Sequence, residues 1–245
     1  MAAEQSTIRN PRSARSQRQY DHASHEPMRR FLRRWVGAFA WRWLAKIDKI
    51  EGLENVPAAG PAILMINHIA FIDPIVVLGH LPRNIVPMAK IEVYRIPIAG
   101  IFPLLWGVIP VRRGEVDREA LMRALAVLEA GEMVLVAPQG TRQKALSSAK
   151  EGIAYLAYKS GAPVIPIAIE GTEGFPSLSK KRWSQPGARV KFGKAFRFKP
   201  VVGRLPREAL KQMTEEAMYR LAAILPEHRR GIYSDLSKAT SDYIE

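Results

Sequence analysis

The sequence predicts an α/β layered fold, with a central mixed β-sheet flanked by helices and preceded by an N-terminal amphipathic helix. Short apolar runs of strand length alternate with helical patterns along most of the 245 residues, and such alternation is typical of layered α/β proteins. Hydrophobic residues make up 47% of the chain, which is enough for one domain with a substantial core. No internal repeat and no glycine-rich phosphate loop interrupts the pattern.

The N-terminal region divides into two parts. Residues 1–27 are polar and basic and lack the apolar stretch of a signal peptide, so we expect a disordered basic arm. Residues 28–48 are predicted to form one amphipathic helix. Tryptophan beside arginine is typical of a helix that lies in a membrane interface, and the alternative is a helix packed on the domain's own core. The apolar residues at helical spacing are Met28, Leu32, Trp35, Phe39 and Trp43.

The remaining elements follow from apolar patterns and helix-end signals. A capping box of Ser148 and Glu151 opens one predicted helix and Gly161 closes it, and Gly131 closes another. An uncharged stretch broken by three prolines and two glycines, residues 96–111, is predicted to be a buried or partly inserted loop region rather than a membrane span. Strands are predicted at 62–66, 84–88, 108–111, 132–137, 164–170 and 188–192, and helices at 74–81, 116–130, 148–160 and 206–225.

The charge balance predicts an anionic partner. The formal net charge is +14, which suits nucleic acid, an anionic membrane surface or a phosphorylated substrate. No nucleic-acid motif occurs, and much of the basic excess lies in the N-terminal arm and first helix, so nucleic acid is not expected. The chain has no cysteine, which excludes disulfides, thiol nucleophiles and thiolate metal sites. None of the five histidines has the spacing of a zinc site, and no metal is expected.

A histidine and an aspartate, His68 and Asp73, follow the first buried strand. Their spacing of five brings two side chains together neither on a helix nor on a strand, so the pair requires a turn. Asp73 as N-cap and Pro74 as first helical residue provide one. Such a turn can hold an imidazole in one tautomer, as a general base requires. The alternative is a loop histidine beside an ordinary N-cap.

Four motifs occur in order, each where a strand meets a loop: Asn67-His68-x4-Asp73, then residues 107–114, 138–142 and 164–172. Together they resemble the motifs of the glycerolipid acyltransferases, the 1-acylglycerol-3-phosphate acyltransferases of phosphatidic acid synthesis. The resemblance runs from about residue 50 to residue 233 and includes the ending at 225–233. It implies an acyltransferase domain over residues 49–233, followed by a C-terminal tail at 234–245.

The resemblance implies transfer of a fatty acyl group from acyl-CoA or acyl-carrier protein to the sn-2 hydroxyl of 1-acylglycerol-3-phosphate (lysophosphatidic acid). No cofactor is implied beyond the acyl thioester, which is a co-substrate. His68 would be the general base and Asp73 its orienting partner. The protein would lie peripherally on the phospholipid surface, at the cytoplasmic face of the cell membrane.

The resemblance also assigns the binding residues. Arg113 and Arg142 match the motif arginines that hold the acceptor phosphate, and for Arg113 the alternative is a solvated charge. Lys150 lies near a basic position common in the family, or is a plain surface lysine. The remaining residues implied are Gly140 and Thr141 for phosphate binding, and Asn67, Gln139 and Pro166 for shaping the site. Pro166 is otherwise simply part of a buried strand.

One position departs from the family pattern, because Gln139 stands where the family usually has glutamate. Glutamine keeps the size but removes a negative charge, so it would hold the motif arginine more weakly if the glutamate orients it. A changed acceptor, a slower enzyme and a tolerated exchange are all compatible with this difference. One alternative to the leading function is therefore acyl transfer to another lysolipid. A second, which rests on the basic charge, is a protein that binds lipid or nucleic acid without catalysis.

Overall fold

A computed structural model describes residues 21–35, 41–97, 100–114, 116–201 and 205–245. Its strands are β1 (Ile47–Glu51), β2 (Ala62–Ile66), β3 (Ile85–Lys90), β4 (Ile109–Val111), β5 (Met133–Val136), β6 (Val164–Glu170) and β7 (Ala188–Phe192). Its α-helices are α1 (His22–Trp35), α2 (Trp41–Leu44), α3 (Asp73–His80), α4 (Ile101–Trp106), α5 (Arg118–Glu129), α6 (Gly152–Ser160), α7 (Lys180–Ser184), α8 (Arg207–Ile224) and α9 (Glu227–Arg230).

The strands form a mixed sheet in the order β1-β7-β6-β2-β5-β3-β4. Neighbouring strands are parallel except β6 and β7, which are antiparallel. The predicted α/β fold with a mixed sheet is therefore confirmed. Because β6, β2, β5, β3 and β4 run in one direction, their carboxyl ends meet at the same edge of the sheet. The motif residues that follow β2, β4, β5 and β6 are brought together there.

Helices cover both faces of the sheet, which explains why the central strands are continuously apolar. All five residues of β2 are buried. On one face of the sheet, Ile63 and Met65 pack with residues of α5, α6 and α8. On the other face, Ala62, Leu64 and Ile66 pack with residues of α3 and α4. Since successive strand residues alternate between faces, a strand covered on both sides carries no polar position.

The N-terminal helix differs from the prediction at both ends. It begins at His22, inside the stretch expected to be disordered, and the Asp21 carboxylate caps it by accepting from the Ser24 amide at 3.2 Å. It is described as far as Trp35, residues 36–40 lie outside the described residues, and β1 begins at Ile47, where the prediction continued one helix to residue 48. The reason is tertiary, because β1 pairs with β7 along its length. Residues 1–20 and Phe39 lie outside the described residues.

Two further predictions are corrected. Helix α4 forms within the stretch predicted to be a loop, and it tolerates Pro103 because the proline lies in the first turn, where amides lack intrahelical acceptors. Helix α6 begins at Gly152 rather than at Ser148, and Glu151 makes no side-chain cap. The capping box does not form because the Lys150 amide donates to the Pro138 carbonyl at 3.0 Å, which ties the preceding residues to another loop.

The last residues of the chain pack on α8. The buried Glu216 carboxylate accepts from the backbone amides of Asp242 and Tyr243, at 2.9 Å and 3.1 Å. Ile244 is buried, and Phe198 and Ile244 form an antiparallel bridge. The predicted tail at 234–245 is thus part of the packed domain.

Candidate active site

The turn after β2 brings His68 and Asp73 together, as the five-residue spacing requires. His68 Nδ1 lies 2.9 Å from Asp73 Oδ2. Asp73 is the first residue of α3 and not its N-cap, which is Ile72. Its carboxylate points back into the turn and accepts from the amides of Ile69 and Ala70 at 2.7 Å and 2.8 Å. Those bonds close the turn around the carboxylate, in place of the helix cap predicted from the sequence.

The hydrogen bonds of Asp73 determine the tautomer of His68. Oδ2 accepts two amide protons and has no hydrogen of its own to donate. In its contact with the imidazole it must therefore accept again, so Nδ1 carries the proton. Nε2 then presents its lone pair. Asp73 is fully buried, whereas the His68 side chain is 19% exposed and lines a cavity. A buried carboxylate therefore orients a base that a substrate in the cavity can reach.

Thr172 supports this pair, a role that was not predicted from the sequence. Its hydroxyl donates to Asp73 Oδ1, the oxygen that the turn leaves unused, at 2.5 Å. Thr172 is fully buried and follows β6, beside Gly171 with its positive φ of 70°. The signal available in the sequence was its place at the end of the fourth motif, where a strand meets a turn.

Asn67 and Pro166 act on the site through the strands. The Asn67 amide is buried and bonds both backbone groups of Ile169, donating to the carbonyl at 2.9 Å and accepting from the amide at 2.8 Å. This fixes the end of β2 to β6, directly before His68. Pro166 lies inside β6 opposite Met65 and is buried in the sheet. It is outside the set of residues that line the cavity, so it shapes the site only through its strand.

The predicted phosphate-binding residues lie on two loops at the same cavity. Arg113 follows β4, and Arg142 and Lys150 follow β5; all three are exposed and line the cavity with Gly140 and Thr141. Gly140 has a φ of +68°, and a Cβ there would lie 3.7 Å from Lys150 Cε. The loop thus turns sharply against the lysine, and the cations remain accessible to an anionic ligand.

Gln139 is directed into the loop that follows Arg142. Its side chain is buried, and Nε2 donates to Ser147 Oγ at 3.0 Å and, more weakly, to the Ala145 carbonyl at 3.4 Å. Both partners accept from an amide N–H. Gln139 therefore contacts the loop at Ala145 and Ser147. The bond to the Ala145 carbonyl uses a hydrogen that a glutamate would lack, whereas the Ser147 hydroxyl can also donate to a glutamate.

The cavity is large, with a mixed cationic and apolar lining. Its volume is about 1270 Å³, above the usual range for small-molecule pockets. Its basic residues are the three described above together with Lys90, Arg112, Arg118 and Arg207. Apolar residues line it from α3, α4 and the turns beside them, and from α5 and α6. These apolar residues include Phe71, Ile75, Leu78, Val93, Ile96 and Phe102. Such a cavity can hold a molecule with a charged head and a long apolar chain next to the His68 base.

An oriented imidazole, exposed cations and apolar side chains thus line one cavity at the strand ends of this α/β fold. The chain belongs to the acyltransferase family, whose family model matches residues 48–170.

Its relatives are 1-acyl-sn-glycerol-3-phosphate acyltransferases. The chain is 33% identical over 138 residues to one from Borreliella burgdorferi, covering 54% of this chain and 55% of that protein. It is 30% identical over 134 residues to one from Bacillus subtilis, covering 54% and 67%. The crystal structure of the 1-acyl-sn-glycerophosphate (LPA) acyltransferase PlsC from Thermotoga maritima is similar, with 26% identity, a TM-score of 0.54, and coverage of 77% of this chain and 78% of that one. The chain spans about half the length of the first of these curated relatives.

Proposed function

We propose that this protein is a peripheral membrane acyltransferase that converts 1-acylglycerol-3-phosphate to phosphatidic acid, with an acyl thioester as donor. The observation that carries the proposal is the His68–Asp73 pair, joined at 2.9 Å and open to a cavity that also holds Arg113 and Arg142. The relatives that bear the name of this activity support the choice of acceptor.

The chemistry requires one base and no covalent intermediate. His68 Nε2 removes the proton from the sn-2 hydroxyl as the oxygen attacks the thioester carbonyl. The new C–O bond forms, the C–S bond breaks, and the proton passes from the imidazolium to the departing thiolate. Asp73 stabilises the imidazolium and keeps the ring in place. General base catalysis of this kind contributes about 10²–10⁴ in rate, and direct attack suits a chain without cysteine.

The acceptor phosphate would be held by the exposed cations of the two loops. A guanidinium can bind two phosphate oxygens at once, so Arg113 and Arg142 would fix orientation as well as charge. Lys150 adds a point charge beside Gly140. Held there, the glycerol backbone would extend towards His68 and the acyl chain along the apolar lining of the cavity.

Helix α1 turns its aromatic side chains outward, which supports membrane docking. Met28, Phe31 and Trp35 are exposed at spacings of three and four, with Phe31 at 55% and Trp35 at 54%. By contrast, Arg29 is fully buried and donates to the carbonyls of Trp106 and Gly107 at 2.6 Å and 3.2 Å. Arg30 and Arg34 are exposed on the same helix. Aromatic side chains exposed beside cations are typical of a helix that lies in a membrane interface.

Helix α4 extends the same apolar surface to the cavity. It packs against α1 and exposes Ile101, Leu104 and Leu105. Ile96, just before it, is both exposed and part of the cavity lining. A bilayer against α1 and α4 would therefore deliver lipid substrates directly to the cavity. In the part of the chain that the structure describes, no helix is long and apolar enough to cross a membrane. The proposed attachment is interfacial, at the cytoplasmic face.

The experiment that tests the function measures thiol release from acyl-CoA and from acyl-carrier protein, with lysophosphatidic acid in detergent micelles. His68→Ala should abolish release while the protein stays folded and bound to anionic vesicles. His80→Ala is the matched control, because His80 lies at the far end of α3 and bonds the Val76 carbonyl. Turnover retained in His68→Ala would refute the catalytic assignment. Equal rates with acceptors that lack a phosphomonoester would refute lysophosphatidic acid as the preferred acceptor.

A further inference from the structure

The segment at residues 227–233, composed of α9 and the turn after it, lies against the loop that follows Arg142. The Leu146 amide donates to the Arg229 carbonyl at 2.8 Å, and the Ile232 amide donates to the Leu146 carbonyl at 3.2 Å. Both backbone groups of Leu146 are therefore bonded by the 227–233 segment. Because Leu146 is also buried, this contact is part of the packed structure and not a surface encounter.

Gly231 makes the close approach possible. Its φ is +53°, and a Cβ at this position would lie 1.9 Å from the Leu146 carbonyl oxygen. Any other residue would both strain the backbone and displace the loop. The glycine thus fits the 227–233 segment to the loop at 143–147 in particular.

The Arg229 side chain joins this loop to the end of β6. Nη1 donates to the Lys144 carbonyl at 2.8 Å, Nη2 donates to the Glu173 carboxylate, and Nε lies 3.7 Å from Glu170 Oε1. The side chain is only 13% exposed. Glu173 directly follows Thr172, the residue that bonds Asp73. One guanidinium therefore connects the arginine-bearing loop with the strand end that supports the catalytic pair.

The opposite end of the loop is fixed to the backbone of His68. The Gln143 amide donates to the His68 carbonyl at 2.8 Å. Arg142 directly precedes Gln143, so its backbone position depends on the loop being held at both ends. His68 and Gln139 hold it from within the site, and the 227–233 segment holds it from outside.

We propose that Arg229 is a positioning residue for the acceptor: through residues 143–147 it sets the distance between the Arg142 guanidinium and the His68 base. The inference rests on the proposed function, in which Arg142 binds the acceptor phosphate. The proposal gives a role to the ending at 225–233. That segment contains neither the proposed base nor the residues proposed to bind the phosphate.

The test compares Arg229→Ala, Arg229→Lys and the control Arg220→Ala. Arg220 is an arginine of α8 that bonds the Ser241 hydroxyl, remote from this loop. Arg229→Ala should raise KM for lysophosphatidic acid about tenfold and change kcat less, because misplacement of a binding group weakens productive binding. Arg229→Lys should restore part of the change in KM. An ammonium group still donates hydrogen bonds, but it cannot reach two acceptors with the planar geometry of a guanidinium. KM for an acceptor without phosphate should stay unchanged.

Hydrogen exchange at the Gln143 and Leu146 amides measures the loop without turnover. Faster exchange at both in Arg229→Ala, and not in Arg220→Ala, is expected. Unchanged exchange together with unchanged KM would overturn the inference, as would a fall in kcat alone. If the wild type shows no turnover with lysophosphatidic acid, the proposed function has failed, and binding of lysophosphatidic acid to wild type and Arg229→Ala then decides the inference: equal affinity overturns it.

Discussion

Exchange of Asp73 for asparagine separates the charge of this residue from its geometry. The asparagine oxygen can occupy the place of Oδ2 and accept from His68, Ile69 and Ala70, while its amide donates to the Thr172 hydroxyl. The turn and the imidazole orientation are then preserved. What disappears is the negative charge that stabilises the imidazolium formed during proton transfer.

The magnitude follows from the distance between the two groups. With Nδ1 and Oδ2 at 2.9 Å, the centres of charge lie roughly 4 Å apart, and Coulomb attraction at an effective dielectric constant of about 20 is ~4 kcal/mol. A loss of that size in the transition state corresponds to about 10³ in rate. The partial exposure of His68 reduces the effect, so we expect kcat to fall about 10²–10³-fold.

The assay is thiol release at saturating acceptor, with circular dichroism to confirm folding. Asp48→Asn is the matched control, because Asp48 also accepts from a backbone amide, that of Gly187, but lies on β1 outside the cavity lining. It should retain wild-type kcat. If a folded Asp73→Asn variant has a kcat within about tenfold of wild type, then stabilisation of the imidazolium by Asp73 does not make the proposed contribution to kcat.

Three other changes test the contact of Thr172 with Asp73, the loop after Arg142, and helix α1. Thr172→Val leaves the buried Asp73 Oδ1 without its donor, so the free energy of unfolding measured in urea should fall by about 1.5–3 kcal/mol, and Thr172→Ser should restore most of it. Gln139→Glu places a carboxylate against the Ala145 carbonyl, which can only accept, so the loop should shift and KM for the acceptor should rise by a factor of about 3–10 with kcat unchanged; an unchanged KM would contradict this. Burial, followed by the charge of a neighbouring arginine, lowers the pKa of His25 below its ordinary value of 6.5. The unfolded state then binds more protons, so α1 should lose protection from hydrogen exchange as the pH falls through about 6.5, and His25→Gln should remove that dependence.

Much of the fold was predictable because its central strands are short apolar runs between turn signals. Strand β2 is the clearest case, with every residue buried. Strand β1 was missed because it is an edge strand whose Asp48, Lys49 and Glu51 are polar, and because its pairing with β7 lies far along the chain. Helix α4 was missed because its proline suggested a break, although the first turn of a helix accepts one.

In the candidate site, local contacts were predictable and distant ones were not. The bond between His68 and Asp73 spans five positions, so the turn could be inferred from the spacing. The bond between Thr172 and Asp73 spans 99 positions and depends on β6 lying beside β2. The bond between Arg229 and the Lys144 carbonyl spans 85 positions. The residues next to Thr172 and Arg229 in the sequence do not show which distant groups these two side chains contact.

The position of Gln139 changes what its departure from the family pattern implies. The side-chain bonds of Asn67, Asp73 and Thr172 are in place, and none of them involves residue 139. Gln139 instead bonds the loop that Arg229 holds from the other side, and its amide fits the acceptors there. A glutamine at this position is therefore compatible with an intact catalytic pair. Its consequences should fall on the placement of Arg142, and hence on which phosphorylated lipid is accepted.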